Sequence, residues 1–212
     1  LSKQKLLQMV TPPGIAVYPK LNEPDTKFKA AGEYQTRLRL QLADAKVQSF
    51  VETIDEAYDA AVAQAKKDNP AKAKSMKSAD KPYKVVCDEE GNETGEIEFN
   101  FKMAASGVSK KTQKPWTRRP ALFDAKGQPL PADTKVGGGS TIKVSFEIMP
   151  FYAPAVGAGL SLRLQAVQVI DLVEYGQRTA SAYGFEEEDG YAAAVVEQDA
   201  GATGAENTDD EF

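Results

Sequence analysis

Between Glu33 and Leu42 the chain alternates without a break, with Tyr34, Thr36, Leu38, Leu40 and Leu42 on one side and Gln35, Arg37, Arg39 and Gln41 on the other. A period of two is the mark of a strand with one buried face; wound as a helix, the same residues would scatter their apolar groups around the whole cylinder. The pattern returns at Thr141–Met149, where Ile142, Val144, Phe146 and Ile148 oppose Lys143, Ser145 and Glu147, and at Glu96–Met103, where Ile97, Phe99, Phe101 and Met103 share a face. From Gly159 to Tyr175, Leu160, Leu162 and Leu164 oppose Arg163, and the phase then slips between Gln165 and Val169, as a β-bulge would make it. Shorter strands are expected at Gly14–Tyr18, closed by Pro19, at Tyr83–Cys87 and at Ala121–Phe123, with a break at Pro150–Pro154.

One segment changes period. Val47, Phe50, Val51, Ile54, Ala57, Tyr58, Ala61, Val62 and Ala65 follow the three-and-four spacing of an amphipathic helix over residues 45–67. Asp44 suits its N-cap, Lys66 and Lys67 suit its negative C-terminal end, and Asn69-Pro70 stops it. Five or more antiparallel strands with one long helix inserted early predict a mainly β protein built as a small closed barrel. The connections are expected to be exposed: a short basic arm at 1–13, lysine-rich links at 70–82 and 104–120, and a flexible loop at Gly137–Ser140.

Charge divides the chain in two. Residues 186–212 hold ten carboxylates and no lysine or arginine; setting those ten aside from the 31 acids leaves 21 against 26 bases in residues 1–185. A mildly basic domain over 1–185 therefore precedes an acidic segment over 186–212 that is too polar to order itself. Histidine is absent, which removes Ser-His-Asp and Cys-His catalysis and His-bearing zinc sites. The single cysteine, Cys87, forms no intramolecular disulfide and suits a reducing, cytoplasmic setting. No run of residues has the length and apolarity of a membrane span or a signal peptide.

The strongest functional signal lies at 104–120, where Lys110, Lys111, Lys114, Arg118 and Arg119 surround the only tryptophan, Trp116, with no acid among them. Such a loop can pair phosphates and stack a base; alternatively it is a solubilising loop whose tryptophan tucks into the barrel end. Arg37, Arg39, Lys102, Lys143 and Arg163 are outward residues of four strands, forming a positive stripe if those strands adjoin and ordinary solvated positions if they do not. Phe99 and Phe101 read as core, whereas Phe151 or Tyr152, beside two prolines, can stand out as a stacking platform. The glycines at 137–139 lack the ending of a P-loop, and the acids of the tail lack the spacing of a calcium loop, so no metal, cofactor or catalytic site is expected.

The closing Asp209-Asp210-Glu211-Phe212, the GAGLSLRLQAVQV stretch at 157–169 and the helix after the second strand together resemble the single-stranded DNA-binding proteins of tailed bacteriophages, of the T-odd coliphage type. The resemblance implies an OB-fold carrying an extra helix and a mobile acidic tail. It also implies sequence-independent binding of single-stranded DNA in phage replication, recombination and repair, in the host cytoplasm. The long basic links at 70–82 and 104–120 depart from that pattern.

A flexible segment of this length spans about 30 Å, against a radius of gyration of about 16 Å for the domain. It is thus expected to reach the basic groove, compete with DNA there and, once displaced, present Asp209, Asp210, Glu211 and Phe212 to a polymerase or helicase/primase. A homodimer through strand or tail exchange is a further expectation. The rival reading is a protein-interaction module that never touches DNA; an enzyme is the least supported.

Overall fold

The computed structural model describes residues 6–131 and 133–174. The strands, in chain order, are β1 (Gln8–Val10), β2 (Gly14–Asp25), β3 (Glu33–Gln41), β4 (Tyr83–Cys87), β5 (Glu93–Ala104), β6 (Ser106–Val108), β7 (Pro115–Thr117), β8 (Ala121–Phe123), β9 (Thr141–Ala153) and β10 (Gly157–Asp171), with helix α1 (Ala45–Asp68) between β3 and β4. Five of them close a barrel: β9 pairs with β2, β2 with β3, β3 with β5, β5 with β10, and β10 returns to β9. Four of these seams are antiparallel. The β5–β10 seam is parallel and joins only Leu162 to Phe101 and Arg163 to Lys102. This is the small closed barrel that the alternation predicts and, in its five strands, the OB-type barrel that the resemblance implies, with α1 inserted after its second strand. β1 extends the sheet beside β9, β8 beside β10 and β4 beside β5.

The inward face of each barrel strand is the apolar one of the sequence pattern. Leu38, Phe99, Phe101, Ile142, Val144, Phe146 and Leu164 are fully buried. α1 turns Val47, Phe50, Ile54, Tyr58, Ala61 and Val62 toward them. The Phe50 ring meets Phe99 at 5.0 Å and Phe146 at 6.0 Å, so the helix stripe closes over the barrel interior. Tilted and edge-on pairs of this kind are worth about 0.5–1.5 kcal/mol each beyond their burial. Asp44 caps α1 by accepting from the Lys46 backbone N–H, and the helix stops at Asn69 before a 3-10 turn at Pro70–Lys72.

The connections are more ordered than their composition suggests. The arm at 1–13 contributes β1, and the Thr11 hydroxyl accepts from Val144 N–H. β2 does not end at Pro19 but runs to Asp25, because that proline sits within a bulge in the strand pairing, where no ladder hydrogen bond is needed. The link at 70–82 is not free: Ala79 is buried, its N–H donates to Ala158, and Ala158 N–H donates to Lys77. That docking runs through backbone groups and so leaves no periodicity to read. Likewise 104–120 is a small hairpin, β6 against β7, rather than an open loop. β9 continues through Pro150, which pairs with Leu160, so the expected break at Pro150–Pro154 comes only after Ala153. The turn at Gly137–Ser140 is pinned, with Ser140 buried and its hydroxyl donating to Gly137 and accepting from Val173 N–H. The bulge expected near Gln165 is present between Leu164 and Ala166. The last strand, expected over Gly159–Tyr175, runs over Gly157–Asp171 and stops there because its partner β9 begins at Thr141, opposite Asp171. The acidic segment 186–212 and its boundary at 185 lie outside the described residues.

Candidate nucleic-acid interface

The short parallel seam between β5 and β10 positions the site. A cleft of about 960 Å³ lies over it, walled by β3, β5, β10 and the approach to β4. Pairing sets which cations share it: Gln35 stands opposite Lys102 and Arg37 opposite Asn100 across β3–β5, while Lys102 stands opposite Arg163 across β5–β10. Arg37, Lys102 and Arg163 thus meet in one cleft, joined by Arg118 from the end of the hairpin, by Lys81 from the approach to β4 and by Lys84 on β4 itself. Being outward residues of adjoining strands, the first three form the positive stripe that the alternation left open.

The cations are ordered by carboxylates. Glu98, buried on the outer face of β5, receives Arg37 at 3.3 Å, Arg39 at 3.3 Å and Lys84 at 3.4 Å. The Arg163 guanidinium is held by Glu147, and Lys102 lies 3.7 Å from Glu33. Arg118 donates from Nε to the Ala104 carbonyl, and its guanidinium lies 4.7 Å from the centre of the Trp116 ring. Burial first, and then the neighbouring charge of Arg163, lower the Arg118 pKa; a guanidinium stays cationic nonetheless. Lys81 bridges to Asp55 on α1 at 2.9 Å and donates to the Tyr83 hydroxyl, which itself donates to Asp55. Those hydrogen bonds, the one to Asp55 foremost, raise the Lys81 pKa, while burial and then Asp55 raise that of Tyr83.

Not every sequence candidate joins the cleft. Arg39 reaches it only through Glu98. Lys110, Lys111 and Lys114 stand exposed at the far end of the β6–β7 hairpin, and Arg119 lines a separate cavity of about 360 Å³ with Leu122 and Leu130. Lys143 faces Gln168 across β9–β10 and does not line the cleft. Trp116 is half-buried on its own hairpin, its ring so close to Gly107 that a Cβ there would fall 2.6 Å from it; it does not tuck into the barrel end. Phe151 and Tyr152 are half-buried on the continuing β9, with Tyr152 packed on the core, because the strand is unbroken there. Asp209, Asp210, Glu211 and Phe212 lie outside the described residues.

Sequence reading passed over Glu98, Lys81, Tyr83, Lys84 and the exposed Phe28, and gave the exposed Tyr18 no role beyond the end of the expected Gly14–Tyr18 strand. Glu98 occupies an outward position in the alternation and gives no local sign that β4 and two arginines bury it. Phe28 sits in the polar turn between β2 and β3, with Lys27 5.4 Å from its ring. Among the described residues, no group of three or more Cys, Asp or Glu is placed to hold a metal ion, and no helix is long and apolar enough to cross a membrane.

A cationic cleft on the outer side of an OB-type barrel, over its second and third strands, is where that fold takes oligonucleotides. Residues 14–172 match the model of the family described as single-stranded DNA-binding protein, Bacteriophage T7. The chain belongs to this family. It is 32% identical over 168 residues to the single-stranded DNA-binding protein of Escherichia phage T7, covering 77% of this chain and 72% of that one. Its counterpart in Enterobacteria phage T3 is 32% identical over 173 residues, covering 79% and 74%. Among solved structures, gp2.5, the single-stranded DNA-binding protein encoded by bacteriophage T7, matches with a TM-score of 0.69 at 27% identity, over 90% of this chain and 100% of that one. The single-stranded DNA-binding protein of bacteriophage Enc34, solved in complex with ssDNA, shares the fold with a TM-score of 0.56 at 14% identity, over 80% and 89%.

Proposed function

We propose that this chain binds single-stranded DNA without sequence preference, laying the strand in the cleft between β3, β5 and β10. The observation that carries the reading is the convergence of Arg37, Lys102, Arg118 and Arg163 from four elements into one open cleft, in a member of a family described as single-stranded DNA-binding. Phosphates exchange with the carboxylates that now hold those cations, and nearby rings supply stacking, Tyr83 in the cleft and Trp116 beside Arg118. Lys110, Lys111, Lys114, Arg119, Arg39 and Lys143 add a wider positive field that steers the strand in, and Phe151 and Tyr152 offer further apolar contact. The role is one of binding in phage DNA replication, recombination and repair, in the host cytoplasm, rather than of catalysis.

Titrating the protein with oligo-dT while following the single tryptophan tests this. Quenching should saturate, be weaker with duplex, and weaken with salt at a log–log slope of about −3 if four cations each pair a phosphate. Replacing Lys102 and Arg163 together by Gln should flatten that slope by about 1.4. Silence toward labelled oligo-dT by anisotropy as well discards DNA binding in favour of a protein-interaction module.

The ten acids of residues 186–212 have the charge to occupy the same cleft when DNA is absent. Once displaced, Asp209, Asp210, Glu211 and Phe212 are free to dock on a polymerase or helicase/primase. Removing residues 186–212 should tighten oligo-dT binding and abolish partner binding; weaker DNA binding by the shortened chain rejects the competition.

A further inference from the structure

Tyr18 is the place where β2 departs from alternation. Ala16 points into the core opposite Leu38, so an unbroken strand would send Tyr18 inward as well. Instead β2 has two residues, Tyr18 and Pro19, between the pairs Val17–Arg37 and Lys20–Gln35 where β3 has one, Thr36. That bulge swings Tyr18 out to 76% exposure, while Leu21 returns to the core. The backbone of Tyr18 has φ 48°, in the left-handed region where bulges usually place glycine and where a bulky side chain is strained. It also precedes Pro19, which narrows its freedom further.

No packing contact or hydrogen bond among the described residues rewards this arrangement. The ring packs against no other aromatic among the described residues, and its hydroxyl makes no hydrogen bond among them; its one notable neighbour is the Arg37 guanidinium, 5.9 Å from the ring centre. Arg37 also lines the cationic cleft. Strained, exposed residues at bulges are characteristic of binding sites, where a side chain is aimed rather than packed.

We propose that Tyr18 is a stacking platform for one base of a bound single strand, with Arg37 pairing the adjoining phosphate, so that the binding track continues from the cleft over the β3 edge onto β2. The proposal rests on the reading of the cleft as a single-stranded DNA site. It assigns Tyr18 an energetic share of binding that its place in the fold does not require, and it makes the bulge a device for presenting an aromatic ring beside a cation.

The test compares the full chain with Tyr18→Gly, Tyr18→Phe and Arg37→Gln in oligo-dT titrations across a salt series, with thermal unfolding in parallel. Glycine suits φ 48°, so Tyr18→Gly should unfold at the same or a higher temperature and still bind DNA more weakly, by about 5- to 150-fold for one lost stack. Its salt slope should match that of the unaltered chain. Tyr18→Phe should bind as the unaltered chain does, since stacking needs the ring and not the hydroxyl, whereas Arg37→Gln should lose about 0.7 from the slope. Undiminished binding by Tyr18→Gly overturns the proposal, as does a loss accompanied by the Arg37→Gln change in slope, which would make Tyr18 only a support for that arginine. If the unaltered chain itself ignores oligo-dT, the reading of the cleft fails, a result distinct from either.

Discussion

Glu98 shows how one buried carboxylate can organise a basic surface. Its side chain is 3% exposed and receives three cations whose own side chains are 46%, 36% and 66% exposed. Water screens the outer halves of those pairs, so Glu98→Gln should cost about 1–2 kcal/mol rather than the about 3–5 of breaking a wholly buried pair. Urea unfolding should show this as a lower midpoint at an unchanged m-value. If DNA phosphates pair Arg37 and its neighbours as proposed, the same variant should lose less stability in saturating oligo-dT than without it. At this scale the sequence was least legible: alternation puts Glu98 on the outer face beside Arg37 and Arg39, but only the pairing of Arg39 with Glu98 across β3–β5 and the overlay of β4 bury it.

Among the elements, the β6–β7 hairpin and the barrel strands contrast. The strands declared themselves because one face is buried along most of their length, which leaves a period of two in the residue types. The hairpin buries only half of Trp116 and runs three residues a side, so it reads as a loop. Its integrity depends on Gly107, whose missing side chain is the seat of the Trp116 ring. Gly107→Ala should dislodge that ring, shift tryptophan emission to the red and leave the thermal unfolding of the barrel nearly unchanged, since no core residue moves. A Cβ at Gly157, by contrast, would lie 2.5 Å from the Lys77 carbonyl with φ at 111°. Gly157→Ala should therefore destabilise the whole domain by about 2 kcal/mol or more, seen as a fall in the unfolding temperature. It separates β10 from the 77–79 link that the sequence presented as free.

The whole molecule has no histidine; near the cleft Lys81 and Tyr83 are pushed further above neutrality, and Arg118, though lowered, stays cationic. Oligo-dT affinity at constant salt should accordingly be flat between about pH 6 and 9. A raised folded pKa contributes stability that is complete below the unfolded value and is lost as pH rises through the folded one. The Lys81–Asp55–Tyr83 link should therefore hold through neutral pH and weaken in strong alkali, and Asp55→Asn should blunt that alkaline loss in a pH series of unfolding midpoints. The amino-acid sequence by itself determined the barrel strands, α1 with its Asp44 cap, the division of charge and the exclusion of histidine chemistry. Each of these is local, carried by periodicity or composition. The tertiary structure alone decided that Arg37, Lys102 and Arg163 share a cleft while Lys143 does not, that Glu98 binds Arg37, Arg39 and Lys84, and that a bulge turns Tyr18 outward. Those facts depend on which strands adjoin and in what register, and pairing between residues far apart in the chain leaves no mark on either partner's neighbours.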